Sequence, residues 1–254
     1  MRLKRISVSL KPTWVGDGKM VSELVLVNVH TYYGISHVLH GVSLTVNRGK
    51  FACLLGRNGM GKTTTLRSII GLTPASSGAI TYRGRQIEKL KPYETFELGI
   101  GYVPQGRRMF PFLTVHENLR MGLRDKRQRN SPLFERIFEL FPVLAERQKQ
   151  KAGTLSGGEQ QMLAIARALA GEVTMLLLDE PTEGVQPNIV DQIFLLLTRI
   201  NKVEGLTILL VEQNIELALS VAEDYFVMQK GVVVENGTVE GMDREAVVER
   251  YLTV

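Results

Sequence analysis

Gly56-Arg57-Asn58-Gly59-Met60-Gly61-Lys62-Thr63 decides how this chain is read. It fits G-x-x-x-x-G-K-[ST], the phosphate-binding loop, whose glycines let backbone N–H groups curl around phosphate oxygens. A helix opening behind the loop adds oriented dipoles. Lys62 would reach the β and γ phosphates, and the Thr63 hydroxyl would ligate Mg²⁺. Gly56, Asn58, Gly59, Gly61, Lys62, Thr63 and Thr64 are therefore the candidate cradle for a nucleotide's phosphates. The flanks suit the motif. Phe51 to Leu55 is an unbroken apolar run, as in a strand buried on both faces. Leu66, Ile69 and Ile70 then share one helical face before Gly71, a helix stop.

The pattern extends outward in both directions. Leu24 to Val29 alternates apolar and polar, as do Val42, Leu44 and Val46, which predicts strands. A short strand is expected at 79–84. From 91 to about 152 the pattern is helical and polar, punctuated by prolines, and reads as a helical insertion. Arg124 to Arg129 with Asn130-Ser131-Pro132 reads as a surface loop within it. Beyond it, helix (157–170), strand (174–179), helix (187–201), strand (206–211) and helix (214–222) alternate, and a hairpin follows at 224–236. Such alternation predicts an α/β fold with a mostly parallel sheet.

Two further motifs carry chemistry. Met175 to Glu180 is an apolar strand ending in Asp179-Glu180. Ligands of open parallel sheets sit at the carboxyl ends of the strands. There Asp179 would hold Mg²⁺, directly or through water. Glu180 would polarise an attacking water as a general base. The second motif is Leu155-Ser156-Gly157-Gly158-Glu159-Gln160. A capping box accounts for Ser156 and Glu159 at S-x-x-E spacing. It does not ask for two glycines. Their lack of side chains clears a helix N-terminus for something anionic.

These three motifs in this order resemble the nucleotide-binding subunit of ABC transporters, from about Leu24 to the end of the chain. The resemblance implies a phosphate-binding-loop NTPase core, an N-terminal antiparallel β subdomain and the inserted helical subdomain, all within 23–254. It implies ATP hydrolysis with Mg²⁺, and two subunits closing head to tail around two ATP molecules. Ser156, Gly157 and Gly158 would then face the γ-phosphate held by the opposite subunit. Gln105, in Val103-Pro104-Gln105-Gly106, matches the glutamine that senses Mg²⁺ and water. Tyr33, 23 positions before Gly56, matches the aromatic that stacks on adenine. Tyr32 and Tyr33 should point to opposite faces of a strand, so at most one stacks.

Departures narrow the resemblance. Its usual histidine after the strand ending in Glu212 is Gln213 here, a neutral donor to phosphate. The loop Pro181-Thr182-Glu183-Gly184-Val185-Gln186-Pro187 lacks the usual aspartate. Val211-Glu212-Gln213-Asn214, Arg107-Arg108-Met109-Phe110-Pro111 and Tyr251-Leu252 resemble one ATPase subunit of importers for branched-chain amino acids and for urea or short amides. Pro104-Gln105-Gly106-Arg107 and Glu183-Gly184-Val185-Gln186-Pro187 lean to the urea type. The implied partners are integral membrane permease subunits, a second ATPase subunit or a second copy of this chain, and indirectly a substrate-binding protein. The implied place is the cytoplasmic face of the membrane, peripherally bound. Met109, Phe110, Phe112 and Leu113 form an apolar cluster that either packs within the insertion or receives a membrane-subunit helix. A lipid or glycolipid exporter ATPase shares nearly all these motifs. A soluble cassette of DNA repair or translation is disfavoured by the single cassette and by the absence of heptads.

Composition agrees. The chain has 254 residues, 44% apolar and 22% charged, within globular norms. No apolar run approaches the roughly 18 residues of a membrane span. The basic N-terminus lacks the apolar core of a secretory signal. Cys53 is alone, so no internal disulfide forms, as in a reducing compartment. The net charge is +5, of which residues 1–20 carry +4. The body is near neutral, which argues against a nucleic-acid partner. Residues 1–22 read as a flexible basic extension, and Met20 offers a second start.

Overall fold

The computed structural model describes residues 21–124 and 132–249. Nearly all of the expected basic extension, the stretch from 125 to 131 and Tyr251-Leu252 lie outside the described residues.

Among the described residues there are two sheets, nine α-helices and a short 3-10 turn at Ala152–Thr154. The first sheet is antiparallel. It contains β1 (Ser22–Tyr33), β2 (Ser36–Asn47), β4 (Ser77–Tyr82) and β5 (Arg85–Gln86), in the order β2-β1-β4-β5. The second contains β3 (Phe51–Leu55), β6 (Ile100–Val103), β7 (Met175–Asp179), β8 (Thr207–Glu212), β9 (Asp224–Gln229) and β10 (Val232–Thr238). Its order is β10-β9-β3-β8-β7-β6, parallel throughout except for the β9–β10 hairpin. The helices are α1 (Lys62–Ile69), α2 (Pro92–Glu97), α3 (Val115–Met121), α4 (Pro132–Leu140), α5 (Pro142–Glu146), α6 (Gly157–Leu169), α7 (Pro187–Glu204), α8 (Ile215–Val221) and α9 (Arg244–Val247). This is the α/β fold that the alternation predicts, with the antiparallel unit at the N-terminal side.

Strand periodicity divides the core. Successive side chains of a strand point to opposite faces. On one face of the second sheet, Phe51, Cys53, Leu176, Leu178, Ile208 and Leu210 pack with α6 and α7 residues such as Leu163, Ile193 and Leu197. On the other, Ala52, Leu54, Met175, Leu177, Leu209 and Val211 pack with α1 and the first sheet. Both faces are covered, which is why these strands read as unbroken apolar runs. Burial pushes the Cys53 thiol up to about 12, so it is inert. Leu209 is fully buried at the centre of the sheet. Leu209→Ala is expected to cost about 2–5 kcal/mol through lost transfer energy and an unfilled cavity. A urea titration checks this, through a lower midpoint at unchanged slope.

One expectation needs correction. Residues 91–152 are not helical throughout, because β6 joins the parallel sheet beside β7. In this stretch α2 precedes β6, and α3, α4 and α5 follow it. Only four residues make this strand, too few for periodicity to register. Gly101 among them is closely packed: a Cβ there would lie 3.1 Å from Val173 Cγ1, so the neighbouring side chains would have to shift. The result puts Gln105 just beyond a strand end. Among the described residues no helix is long and apolar enough to cross a membrane.

Candidate active site

The loops after β3, β6, β7 and β8 leave the carboxyl edge of the parallel sheet side by side, where α/β folds bind ligands. The 56–61 loop comes from β3, Gln105 from β6, Glu180 from β7 and Gln213 from β8. Gly56 takes φ +153°, and a Cβ there would lie 2.5 Å from the Met228 carbonyl oxygen. Only glycine fits so close to neighbouring backbone. The backbone N–H groups of Asn58, Gly59, Gly61, Lys62, Thr63 and Thr64 meet no acceptor among the described residues. That row of open donors at the start of α1 suits a polyphosphate. A cleft of about 480 Å³, lined by Gly56, Arg57, Asn58, Met60, Gln213 and Ile215, opens beside it.

Lys62 folds back over its own loop. Its Nζ donates to the carbonyls of Gly56 at 2.7 Å and Arg57 at 3.1 Å. It also lies 3.6 Å from Glu180 Oε1, with both side chains buried. Burial holds the Lys62 ammonium below its ordinary range, against the pull of Glu180. Thr63 Oγ1 donates to Asp179 Oδ1 at 2.9 Å, and Tyr102 Oη donates to Asp179 Oδ2 at 3.0 Å. Burial pushes the Asp179 carboxyl up, partly offset by these two bonds. Burial, with Asp179 beside it, pushes the Tyr102 phenol up as well. Two hard oxygens 2.9 Å apart are a fitting donor pair for a small divalent cation that takes its other ligands from phosphate and water.

Glu180 is the focus of the cluster. Its φ is +48°, an uncommon backbone state for a non-glycine residue. Its N–H donates to the Val211 carbonyl at 2.9 Å. Oε2 accepts from Gln105 Nε2 at 3.0 Å and from Gln213 Nε2 at 2.7 Å. The same Gln105 nitrogen donates to Glu183 Oε2 at 2.9 Å. Carboxylates only accept, so both glutamines turn their NH₂ groups inward. Sequence alone separates Lys62, Gln105, Asp179, Glu180 and Gln213 by up to 151 positions, yet they form one connected set.

Ser156, Gly157 and Gly158 stand apart from this set. Ser156 caps α6 as expected: Glu159 N–H donates to Ser156 Oγ at 3.4 Å, and Ser156 N–H donates to Glu159 Oε2 at 2.8 Å. The two glycines do not open an empty approach. A Cβ on Gly157 would lie 2.9 Å from Arg107 Nη1, and one on Gly158 would lie 2.6 Å from Ile189 Cγ2. Arg107 Nη2 donates onward to the Gly184 carbonyl at 2.7 Å. The guanidinium thus spans the N-terminus of α6 and the loop after Glu180.

Tyr33 is not linked to the cradle either. Its hydroxyl accepts from Thr73 Oγ1 at 3.2 Å, and the Arg67 guanidinium lies 5.9 Å from its ring centre. Tyr32 stacks on His37 with ring centres 4.1 Å apart, so the two tyrosines do face different ways.

Sequence reasoning did not single out Tyr102, Thr182, Arg107 or Glu212 as site residues. Glu212 is buried. Its Oε1 accepts from Thr182 Oγ1 at 2.6 Å and from Thr182 N–H at 3.3 Å, and its Oε2 accepts from Gln213 N–H at 3.1 Å. Burial pushes its carboxyl up, opposed by those bonds. In the sequence Glu212 shows only as an acid closing an apolar run, and its role emerges from the tertiary contact with Thr182.

Residues 39–183 match the family model described as "ABC transporter". The chain is 45% identical over 212 residues to a high-affinity branched-chain amino acid transport ATP-binding protein of Pseudomonas aeruginosa, covering 83% of this chain and 90% of that one. It is 38% identical over 214 residues to a "probable branched-chain amino acid transport ATP-binding protein" of Archaeoglobus fulgidus, covering 84% and 90%. Among solved structures, a dimeric ATP-binding cassette in a post-hydrolysis state with ADP and Pi matches with a TM-score of 0.76 at 27% identity, covering 86% and 100%. With the phosphate-binding loop, the Asp179-Glu180 pair and the capped Ser156-Gly157-Gly158 turn in one such fold, the chain belongs to the ABC transporter family as an ATP-hydrolysing cassette.

Proposed function

We propose that this cassette energises import of branched-chain amino acids through separate membrane subunits, with Glu180 as the base that activates water. The observation that carries the catalytic part is the convergence of Lys62, Gln105 and Gln213 on the Glu180 carboxylate beside the open N–H row. In this reading Lys62 turns from its own loop carbonyls to the β and γ phosphates. Gln105 and Gln213 orient Glu180 and the water before it, at a site where a base contributes about 10²–10⁴-fold. Mg²⁺, on Thr63, Asp179 and within reach of Gln105, would neutralise charge on the transferring phosphoryl group. Tyr33 offers a face for adenine.

The partner assignments follow the same reading. In this reading Ser156, Gly157 and Gly158 complete the site of a second cassette, head to tail; a dimer is what the similar dimeric cassette supports. Phe112 is 86% exposed and Phe110 44%, next to a groove lined by Leu113, Glu117, Arg120 and Met121. Met109 instead packs on the core. In this reading the two exposed phenylalanines and the groove receive a permease, with the subunit held peripherally at the cytoplasmic face. The names of both relatives favour branched-chain amino acids over urea or short amides. The test is uptake of labelled leucine and labelled urea by cells lacking this chain. Loss of leucine uptake is expected. Loss of urea uptake alone replaces the substrate class, and normal uptake of both overturns the importer reading.

Gln213 carries a separate prediction. A neutral amide gives a weaker bond to phosphate than a charged donor. Gln213→His is expected to raise turnover of the isolated subunit by about fivefold, roughly the gap between neutral and charged hydrogen bonds. Steady-state phosphate release measures it, and an unchanged rate removes Gln213 from the reaction.

A further inference from the structure

Glu212 has no part in the reaction as described so far, yet it is a buried acid beside the site with both carboxylate oxygens hydrogen-bonded. It closes β8 and is 3% exposed. Each of its carboxylate oxygens serves a different loop. Oε1 takes the side-chain hydroxyl and the backbone N–H of Thr182, two residues after Glu180. Oε2 takes the N–H of Gln213, whose own side chain donates to Glu180 at 2.7 Å. Glu180 itself sits in a left-handed backbone state, with its N–H fixed to Val211, the neighbour of Glu212. Such a state persists only where the surroundings over-determine it. The frame that does so runs from Val211 through Glu180 to Thr182, and Glu212 closes it.

We propose that Glu212 is a positioning residue for hydrolysis: by holding Thr182 with one oxygen and Gln213 with the other, it fixes where the Glu180 carboxylate stands. The assignment rests on the reading of Glu180 as the base. Among the described residues Glu212 makes no hydrogen bond to the 56–61 loop or to Lys62, and its charge is the weakest of those acting on the Lys62 ammonium. Its removal should therefore spare nucleotide binding and strike the chemical step. A displacement of about 1 Å at a reacting group can cost on the order of 10²-fold in rate.

The test is steady-state ATP hydrolysis by the full chain. Glu212→Gln keeps volume and one acceptor but cannot accept on both sides. It is expected to lower kcat about 10- to 100-fold, with KM for ATP changed less than about twofold. Thr182→Val opens one side of the frame and should lower kcat in the same way, while Thr182→Ser keeps the hydroxyl and should restore it. In a Gln213→Ala background, Glu212→Gln should cost less than it does in the wild type, because part of its route is already gone. A Glu212→Gln enzyme within twofold of wild-type kcat overturns the proposal. So does a parallel rise in KM, or full multiplication of the two losses. If Glu212→Gln does not fold, the Thr182 pair decides alone, and equal rates for Val and Ser overturn the proposal. Glu180→Gln separates the two levels: near-wild-type turnover there removes the base reading and this inference together. An inactive Glu180→Gln beside a fully active Glu212→Gln removes only the inference.

Discussion

Glu180→Gln is expected to bind ATP as the wild type does and to lose turnover by about 10²–10⁴-fold, the usual contribution of a positioned base. The amide keeps the shape of the carboxyl and its left-handed backbone, so the frame from Val211 to Thr182 stays in place. It loses the ability to take a proton. It also loses the charge opposite Lys62, whose Nζ lies 3.6 Å away. Lys62 retains its two carbonyl acceptors at 2.7 and 3.1 Å, so the loop is not left open by the change. Substrate therefore meets an intact cradle and a site that cannot complete the reaction. In a head-to-tail pair this traps the closed state, visible as an ATP- and Mg²⁺-dependent dimer in sizing chromatography. Phosphate release measures the loss. Near-wild-type turnover would show that water is activated elsewhere, and then the bonds from Gln105 and Gln213 would need another explanation.

The sequence shows some of this site directly and hides the rest for identifiable reasons. The phosphate-binding loop is contiguous: eight residues carry its glycines, lysine and threonine, and the strand and helix beside it have clear periods. Asp179 and Glu180 end an apolar run, so their place at a sheet edge follows from strand polarity alone. Ser156 and Glu159 announce a helix start by spacing, and the cap forms as written.

What the sequence hides lies in contacts between distant segments. Tyr102 supports Asp179 from 77 positions away, and Arg107 reaches Gly184 across the same interval. Both depend on β6, which is too short to show a period. Glycines in a row at a helix start suggest open space, but which side chain enters it is a tertiary matter, and Arg107 and Ile189 do so. Glu212 resembles any polar residue closing a strand until Thr182 is brought alongside. Tyr32 and Tyr33 show the limit most clearly. Alternation predicts that they face apart, as they do, but nothing in a strand pattern says which face meets a nucleotide.

Lys62→Ala is expected to weaken ATP binding by at least about tenfold, and up to roughly 150-fold, the range of a hydrogen bond to a charged group. The structure gives the reason and a control. Lys62 is the cation in contact with Glu180, and it is nearly buried at 4% exposure. Burial already disfavours its charge. A polyphosphate lying along the open N–H groups of Asn58, Gly59, Gly61, Lys62, Thr63 and Thr64 would supply the compensating anion, so binding gains from that ammonium what folding alone does not. Alanine removes the cation but leaves the N–H row and the helix dipole, and residual weak binding should therefore survive. ADP carries no γ-phosphate to meet Lys62 and should lose less affinity than ATP. Nucleotide titrations with ATP and ADP, on protein shown to be folded by its thermal unfolding, measure both differences. Equal losses for the two nucleotides would place Lys62 away from the γ-phosphate. Unchanged ATP affinity in a folded variant would remove the 56–64 loop as the cradle, and the open N–H groups at the start of α1 would then require a different anion.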